Sequence, residues 1–292
     1  MNKTELTPEL QAQVDADLAP IRTQIDAVDA QLLTLLNERA KLAQQVGEVK
    51  QKYDQPVYRP ERESAVLEKI AQRNPGPLPT PQLQTLWREV MSVCRAMEEP
   101  VKVAYLGPAG TYTEQAMFKQ FGHAIVGVDC VTIDDIFHAV EADGATFGVV
   151  PIENSIEGAI NRTMDLLLNS PLRICAEVSL AIRHSLMHRT GDMTQVTTIV
   201  AHPQALAQCY GWLKQHYPNI EQKPVSSNAQ GARMAQESDA IACIAGDSAA
   251  MMYELQKVAV GIQDDANNRT RFVVLGKQVC SPSPADKTSL IL

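Results

Sequence analysis

Two basic residues on the first predicted helix have the spacing of an anion clamp. Arg39 and Lys50 are eleven residues apart, so they share a helix face and stand about 16 Å apart along its axis. They fall in the angular range of Leu32 and Val46, at the edge of an apolar stripe. A lone cation on a helix is usually a solvated charge, but a cation at a buried seam needs an anion. The pair therefore predicts a site for one small dianion.

Four later segments carry polar residues at or beside the ends of predicted strands. In the first, a turn through Thr111 opens a helix whose backbone N–H groups suit a carboxylate. The second puts Asn154 at the carboxyl end of a strand, where α/β clefts gather ligands. The segments are 107–114, 149–158, 201–209 and 267–272. Each alone is more typical of ordinary structure than of catalysis, and none has the GxGxxG or Walker pattern. They predict a cleft that uses neither NAD nor ATP and needs no cofactor.

Helical periodicity dominates the first hundred residues. Apolar residues recur at three- and four-residue steps from 8 to 52, which predicts one long amphipathic helix. Prolines and the turn at 74–77 separate it from further predicted helices at 61–73 and 80–98. A first helix roughly 60 Å long, at 1.5 Å per residue, cannot fold back into a compact globule. We therefore expect it to pair with a second chain.

After Pro100 the pattern changes to short β-rich runs separated by helical segments and glycines, which is typical of an α/β domain. The runs are 101–106, 147–151, 197–201, 240–245 and 271–275. The tail 281–286 has the composition of a linker, and 288–292 reads as one strand with nothing to pair with. We expect the chain to stop where a further domain would begin.

Composition excludes several classes of partner. The net charge of -8 and pI near 5.3 leave no general attraction to nucleic acid or anionic lipid. No apolar run approaches the roughly 20 residues of a membrane span, and the N-terminus is polar. The six cysteines are far apart and lack the spacing of metal ligands. We expect a cytoplasmic protein with reduced thiols and no bound metal.

The helical part resembles the all-helical chorismate mutases over about residues 10 to 98. The matching positions are Arg22, Asp29, Glu38-Arg39, Gly47 to Lys50 and Pro60 to Glu63. The resemblance implies that substrate contacts fall to Arg22, Arg39, Lys50, Arg62 and Glu63. It also implies an intertwined homodimer and a pericyclic rearrangement of chorismate to prephenate, which needs positioned charge but no nucleophile, metal or cofactor.

Two features of this resemblance carry predictions of their own. Arg22 lies seventeen residues from Arg39, about 25 Å along the helix, so we expect it to serve the site centred on the partner chain. On the third helix, Cys94 and Glu98 stand where the best-known bacterial pattern has Ser and Gln. Glu98 can donate to the substrate ether oxygen only when protonated, so mutase activity is predicted to fall as pH rises.

The α/β part resembles prephenate dehydratase over about residues 101 to 278, through its GPAGT turn, its PIENS segment, its HPQ segment, Ser227 to Ala229 and Thr270 to Phe272. The resemblance implies two α/β lobes, like those of periplasmic binding proteins, with the active cleft between them. It assigns to Thr270 the hydrogen bond to the departing hydroxyl of prephenate. The other positions that it places at the substrate are Thr111, Glu153, Asn154, Ser155, His202, Gln204, Gln208, Ser227 and Arg271, the last being either a carboxylate partner or a salt bridge. Ala201 departs from the family, where a Ser often precedes the HPQ.

We therefore predict an all-α mutase domain at 1–99, an α/β dehydratase domain at 100–280 and, at 281–292, a linker with the start of an absent ACT domain. The lobes of the dehydratase are expected at 100–178 plus 262–280 and at 179–261. Together the domains would convert chorismate to prephenate and prephenate to phenylpyruvate in phenylalanine biosynthesis, with little inhibition by phenylalanine. Two alternatives stay open, a dehydratase whose helices only dimerise and a non-catalytic anion sensor.

Overall fold

Two units, divided after Val57, make up the chain. The computed structural model describes residues 7–53, 55–282 and 286–287. The strand expected at 288–292 lies outside these residues. Within the described ranges, no helix combines the length and apolar character needed to cross a membrane.

Helix α1 (Pro8–Lys52) forms nearly all of the described part of the first unit. Thr7 caps it by accepting a hydrogen bond from Leu10 N, and a proline begins the helix, where its missing N–H costs nothing. No residue of α1 is buried. Ile25 and Leu32 of the apolar stripe are 53% and 50% exposed. The long amphipathic helix predicted from the sequence is confirmed.

Helices α2 (Pro60–Arg73) and α3 (Thr80–Ala96) begin the second unit and pack on each other. The buried ring of Tyr58, just before α2, contacts Phe121 and Phe147 of the α/β part. The two predicted helices are confirmed, although the third ends two residues before the predicted bound. Helices α2 and α3 therefore belong to the same compact unit as the α/β lobes.

The first lobe is built on a six-stranded sheet with the order β2-β1-β3-β11-β5 and with β4 beside β3. Strands β1 and β2, and β1 and β3, run parallel, whereas β11 is antiparallel to both of its neighbours. Its elements are β1 (Lys102–Leu106), α4 (Tyr112–Phe121), β2 (Val126–Cys130), α5 (Ile133–Glu141), β3 (Phe147–Asn154), β4 (Gly158–Ala159), α6 (Asn161–Asn169), β5 (Arg173–Ala181) and β11 (Arg269–Gly276).

The second lobe is built on a five-stranded sheet with the order β10-β6-β9-β7-β8. Strand β7 runs parallel to β8 and β9, and β6 is antiparallel to its neighbours. Its elements are β6 (Ser185–His188), β7 (Thr198–Ala201), α7 (Pro203–Gln208), α8 (Tyr210–His216), β8 (Glu221–Pro224), α9 (Asn228–Glu237), β9 (Ile241–Ala245), α10 (Asp247–Met252) and β10 (Gln256–Val260).

Successive side chains of each strand point to opposite faces of the sheet, so a separate hydrophobic core forms on each face of each sheet. In β11, Phe272 packs on one face of the first sheet and Val273 on the other. The chain crosses between the lobes at 182–184 and returns at 261–268, and these two crossings are joined by a hydrogen bond from Ile182 N to Asn268 O of 2.8 Å. The two-lobed α/β architecture is confirmed, whereas the predicted domain boundaries stay predictions.

Candidate active sites

A cleft of about 290 Å³ lies between the two lobes. Its walls include the caps of three helices, with Thr111 before α4, His202 before α7 and Ser227 before α9. The side chains of Thr111 and Ser227 accept hydrogen bonds from the first turns of their helices, at 3.4 and 3.0 Å. Helix N-termini carry partial positive charge and unpaired N–H groups, so this cleft suits anionic oxygen atoms. A second cavity of about 320 Å³, beside Lys102 and Lys277, contains none of the predicted site residues.

Thr270 lines the cleft and has a fixed hydrogen-bonding partner. The Oδ1 atom of the buried Asn154 accepts hydrogen bonds from the N–H groups of Ile156 and Glu157, at 2.9 and 3.2 Å. The Nδ2 atom of Asn154 must therefore be the donor to Thr270 Oγ1, at 2.9 Å. Since the Thr270 oxygen accepts this bond, its own hydrogen is directed to another acceptor, and the cleft is where a substrate would supply one.

Gln208 is the second oriented donor of the cleft. Its Oε1 atom accepts hydrogen bonds from Asn268 Nδ2 and His184 Nε2, both at 2.9 Å. Its Nε2 atom is buried and has no hydrogen-bond partner among the described residues. Buried donors are normally paired, so this amide group lacks a partner, and an oxygen atom bound in the cleft that Gln208 lines would supply one.

His184 contacts Gln208 at the cleft wall and was not predicted from the sequence. It is buried, and its Nδ1 atom is 3.1 Å from the hydroxyl of Tyr112, whose single hydrogen can be donated to this nitrogen or to Arg183 O at 2.7 Å. Burial lowers the pKa of His184, because desolvation disfavours the charged imidazole. Asn268 and Tyr112 stand in segments that the sequence singles out, whereas no local pattern marks His184.

Three predicted cleft residues do not line the cleft. Arg271 forms ion pairs with Glu153 and, at 2.8 Å, with Glu177. These hydrogen bonds raise the pKa of Arg271. Adjacent strand residues point to opposite faces, so Arg271 points away from the face of Thr270. Ser155 is exposed and accepts a hydrogen bond from the backbone N–H of Arg269, at 2.9 Å.

This placement favours the salt-bridge alternative for Arg271. A substrate role for Glu153, Ser155 and Arg271 stays a prediction, without support from their position. The predicted residues that the structure brings together at the cleft are Thr111, Asn154, His202, Gln204, Gln208, Ser227 and Thr270.

The predicted mutase residues are divided between the two units. In the first, Arg22 is exposed, while Arg39 and Lys50 are half-buried, and Lys50 Nζ donates to Val57 O at 2.7 Å. In the second unit, Arg62 is exposed and Glu98 is half-buried.

Glu63 forms an ion pair with Arg95 of α3, a residue absent from the sequence prediction. Arg95 is 5% exposed, and its guanidinium lies 4.9 Å from the centre of the Tyr58 ring. Its NH2 group also donates to the backbone oxygen of Phe121. Arg95 thus joins a predicted mutase residue to the first dehydratase-like lobe within the second unit.

Comparison with known proteins decides the family. The model of chorismate mutase type II matches residues 21–99, and that of prephenate dehydratase matches residues 103–279. A bifunctional chorismate mutase/prephenate dehydratase of Neisseria gonorrhoeae is 49% identical over 280 residues, which are 95% of this chain and 77% of that protein. The chain belongs to the bifunctional chorismate mutase/prephenate dehydratase family. The resemblance drawn from the sequence is confirmed for both the mutase and the dehydratase domain.

Other relatives agree with this assignment. A bifunctional chorismate mutase/prephenate dehydratase of Pseudomonas aeruginosa is 46% identical over 94% of this chain and 77% of its own length. The solved structure of the prephenate dehydratase of Arthrobacter aurescens in complex with L-Phe is 32% identical, covers 63% of each chain and superposes with a TM-score of 0.59. The similarity to this solved prephenate dehydratase supports the two-lobed fold of the α/β domain.

Proposed function

We propose that this chain catalyses both reactions of its family, with the mutase chemistry on the helices and the dehydratase chemistry in the cleft at Thr270. The observation that carries the dehydratase assignment is the bond from Asn154 Nδ2 to Thr270 Oγ1. It leaves Thr270 as a donor at the edge of a cleft whose helix N-termini suit carboxylates.

In the dehydratase reaction, the bond from the ring of prephenate to its carboxylate breaks and carbon dioxide leaves. The released electron pair enters the ring, the bond to the ring hydroxyl breaks, and hydroxide departs and becomes water on protonation. Thr270 donates a hydrogen bond to the departing oxygen, which stabilises its developing negative charge. Gln208 Nε2, with its unused donors, binds a substrate oxygen and fixes the ring in the cleft.

In the mutase reaction, Arg39 and Lys50 hold the carboxylate and ether oxygens of chorismate in a compact conformation. The chain acts as a homodimer through α1. Support comes from the exposed apolar stripe of α1, because an apolar face of this length is normally covered by protein. Arg22, about 25 Å along the helix from Arg39, then serves the site of the second copy.

We also propose that both reactions take place in the cytoplasm. Cys209 and Cys243 are buried free thiols, and burial raises the pKa of each to about 12. Reduced thiols of this kind are typical of a reducing compartment.

Assays of the purified chain with each substrate in turn test the two activities separately. Chorismate is supplied first and prephenate second, and the disappearance of each and the formation of phenylpyruvate are followed. Thr270→Val should lower dehydratase kcat by about 100-fold or more, the scale of a lost donor to a developing oxyanion, while mutase activity stays. Thr146→Val, at an exposed position outside the cleft, serves as the matched control.

Wild-type turnover of prephenate by Thr270→Val would refute the assignment. For the helices, loss of chorismate consumption in Arg39→Ala is the expected result. Retained consumption would instead favour a dehydratase whose helices serve only as a dimerisation arm.

A further inference from the structure

The direction of each hydrogen bond behind the dehydratase cleft is set by the backbone. Because two backbone N–H groups occupy Asn154 Oδ1, Asn154 Nδ2 donates to Asn268 Oδ1, at 3.1 Å. Asn268 Nδ2 is then the donor to Gln208 Oε1, at 2.9 Å. An amide flip at any one position would bring two donors or two acceptors together. The Gln208 side-chain atom that faces Asn268 and His184 is therefore the oxygen, Oε1.

His184 ends this series of bonds with only one allowed role. Its Nε2 atom lies 2.9 Å from the accepting Gln208 Oε1, so Nε2 must carry a hydrogen. The neutral ring then has its lone pair on Nδ1, 3.1 Å from the Tyr112 hydroxyl, whose single hydrogen is donated to this nitrogen or to Arg183 O at 2.7 Å. The hydrogen bonds that run from Asn154 through Asn268 to Gln208 thus specify the Nε2–H tautomer of neutral His184.

The same residues join the two lobes. Asn154 and Thr270 belong to the first lobe, Gln208 lies at the end of α7 in the second, and His184 and Asn268 stand on the two crossings. Backbone bonds hold the crossings beside one another, including that from Ile262 N to His184 O at 2.9 Å. The His184 backbone N–H also donates to Gln263 Oε1, at 3.0 Å. These bonds fix the backbone of His184 where the chain crosses between the lobes, and Gln208 and Tyr112 contact its ring.

We propose that His184 is a positioning residue of the dehydratase reaction, whose Nε2–H orients the Gln208 amide and so presents the Gln208 Nε2 donors to the substrate. It also completes the bonds through Asn268 that hold Asn154 against Thr270. His184 itself borders the cleft, but its two ring nitrogens face Gln208 and Tyr112, so it acts through Gln208 and Asn268 and not on the substrate. The inference rests on the proposed dehydratase function and adds the residue that sets the polarity of the site.

Two substitutions at His184 distinguish its proposed role in orienting the Gln208 amide from a role in packing alone. His184→Gln can keep a donor near the position of Nε2–H, whereas His184→Leu removes it. Without the donor, dehydratase kcat should fall by about 10- to 100-fold, by analogy with loss of the partner that orients a metal-ligating side chain. The KM for prephenate should change much less. His184→Gln should recover most of kcat.

His188 supplies the matched control. It is also buried, and its Nε2 donates to Asp239 O at 3.1 Å in the second lobe, away from the cleft lining. His188→Leu should lower the melting temperature without the loss of kcat. Equal kcat losses in His184→Leu and His188→Leu, equal losses in the Leu and Gln variants of His184, or full activity of His184→Leu would each overturn the inference.

Nitrogen NMR of the unsubstituted chain with labelled histidine tests the tautomer without any variant. A hydrogen on Nε2 of His184 is expected in both the neutral and the charged ring. A neutral ring protonated at Nδ1 alone would overturn the inference, even if His184→Leu did not fold. The proposed function is tested separately by turnover of prephenate by the unsubstituted chain, so the two can fail independently.

Discussion

Replacement of Arg95 by methionine should destabilise the second unit far more than replacement of an exposed arginine. Arg95 is 5% exposed, pairs with Glu63, donates to Phe121 O and covers the ring of Tyr58. Methionine can preserve the apolar contact with Tyr58 but neither the charge nor the donors. The substitution therefore takes the guanidinium charge from a carboxylate that is largely buried.

The expected cost follows from this burial. Breaking a buried pair by removing one partner costs about 3–5 kcal/mol, and the 18% exposure of the Glu63 side chain puts the estimate near the lower end, about 3 kcal/mol. The control is Arg162→Met, since the side chains of Arg162 and Asp134 are 55% and 45% exposed and solvent screens such a pair, so that it contributes little to stability.

Urea unfolding of the two arginine variants, followed by circular dichroism, measures both losses. We expect Arg95→Met to lose at least about 2 kcal/mol more free energy of unfolding than Arg162→Met, the difference between the buried and exposed ranges. Equal losses in the two variants would refute the reasoning that burial determines how much each ion pair contributes to the free energy of unfolding. Mutase activity should also fall in Arg95→Met if Glu63 contacts chorismate as predicted.

Three further predictions concern other parts of the chain. Gly122→Ala should destabilise the fold by about 1–3 kcal/mol in urea unfolding, because Gly122 has φ +73° and an added Cβ would lie 2.5 Å from a side-chain carbon of α3; wild-type stability would contradict this. Glu98→Gln should flatten the fall of mutase activity with rising pH, since the amide donates at every pH, and an unchanged profile would count against a donor role for Glu98. Hydrogen bonds from Arg271 and Lys287 lower the pKa of Glu177 below its ordinary value of 4.5. The stabilisation from these bonds is therefore present above pH 4.5 and is lost as the pH falls through the lower pKa of the folded state. In urea unfolding at about pH 6 and about pH 3, Glu177→Gln should lose less stability on acidification than the wild type, and equal losses in the two proteins would contradict this prediction.

The elements of the fold follow closely from local pattern. The sequence predicts a helix at 8–52, and α1 has the same bounds, because a long run of 3.6-residue periodicity leaves little choice of structure. The strand predicted at 147–151 extends three residues further, to Asn154. Its extension depends on pairing with β11, which lies more than a hundred residues along the chain, and local composition carries no information about that partner.

The site residues show the same division between local and long-range causes. Alternation along β11 was a usable signal that Thr270 and Arg271 lie on opposite faces, although the family resemblance placed both at the substrate. His184 carries no such signal. Its role depends on contacts with Tyr112 and Gln208, at 72 and 24 residues' separation, which exist only once both lobes have formed. Arg95 is hidden for the same reason, because its helical position alone does not reveal its contact with Phe121.

The polarity of the cleft bears on how a threonine can assist loss of hydroxide. A threonine hydroxyl is a weak acid, so full proton transfer from Thr270 is not expected. Its oxygen accepts a bond from Asn154, whose amide is itself polarised by two backbone N–H groups, and hydrogen bonds in series strengthen one another. Gln208 adds a buried amide group with no hydrogen-bond partner among the described residues, and the helix N-termini at Thr111 and Ser227 add positive potential. A site of oriented donors favours a substrate whose negative charge moves onto a leaving oxygen, and it needs no group that titrates near neutral pH.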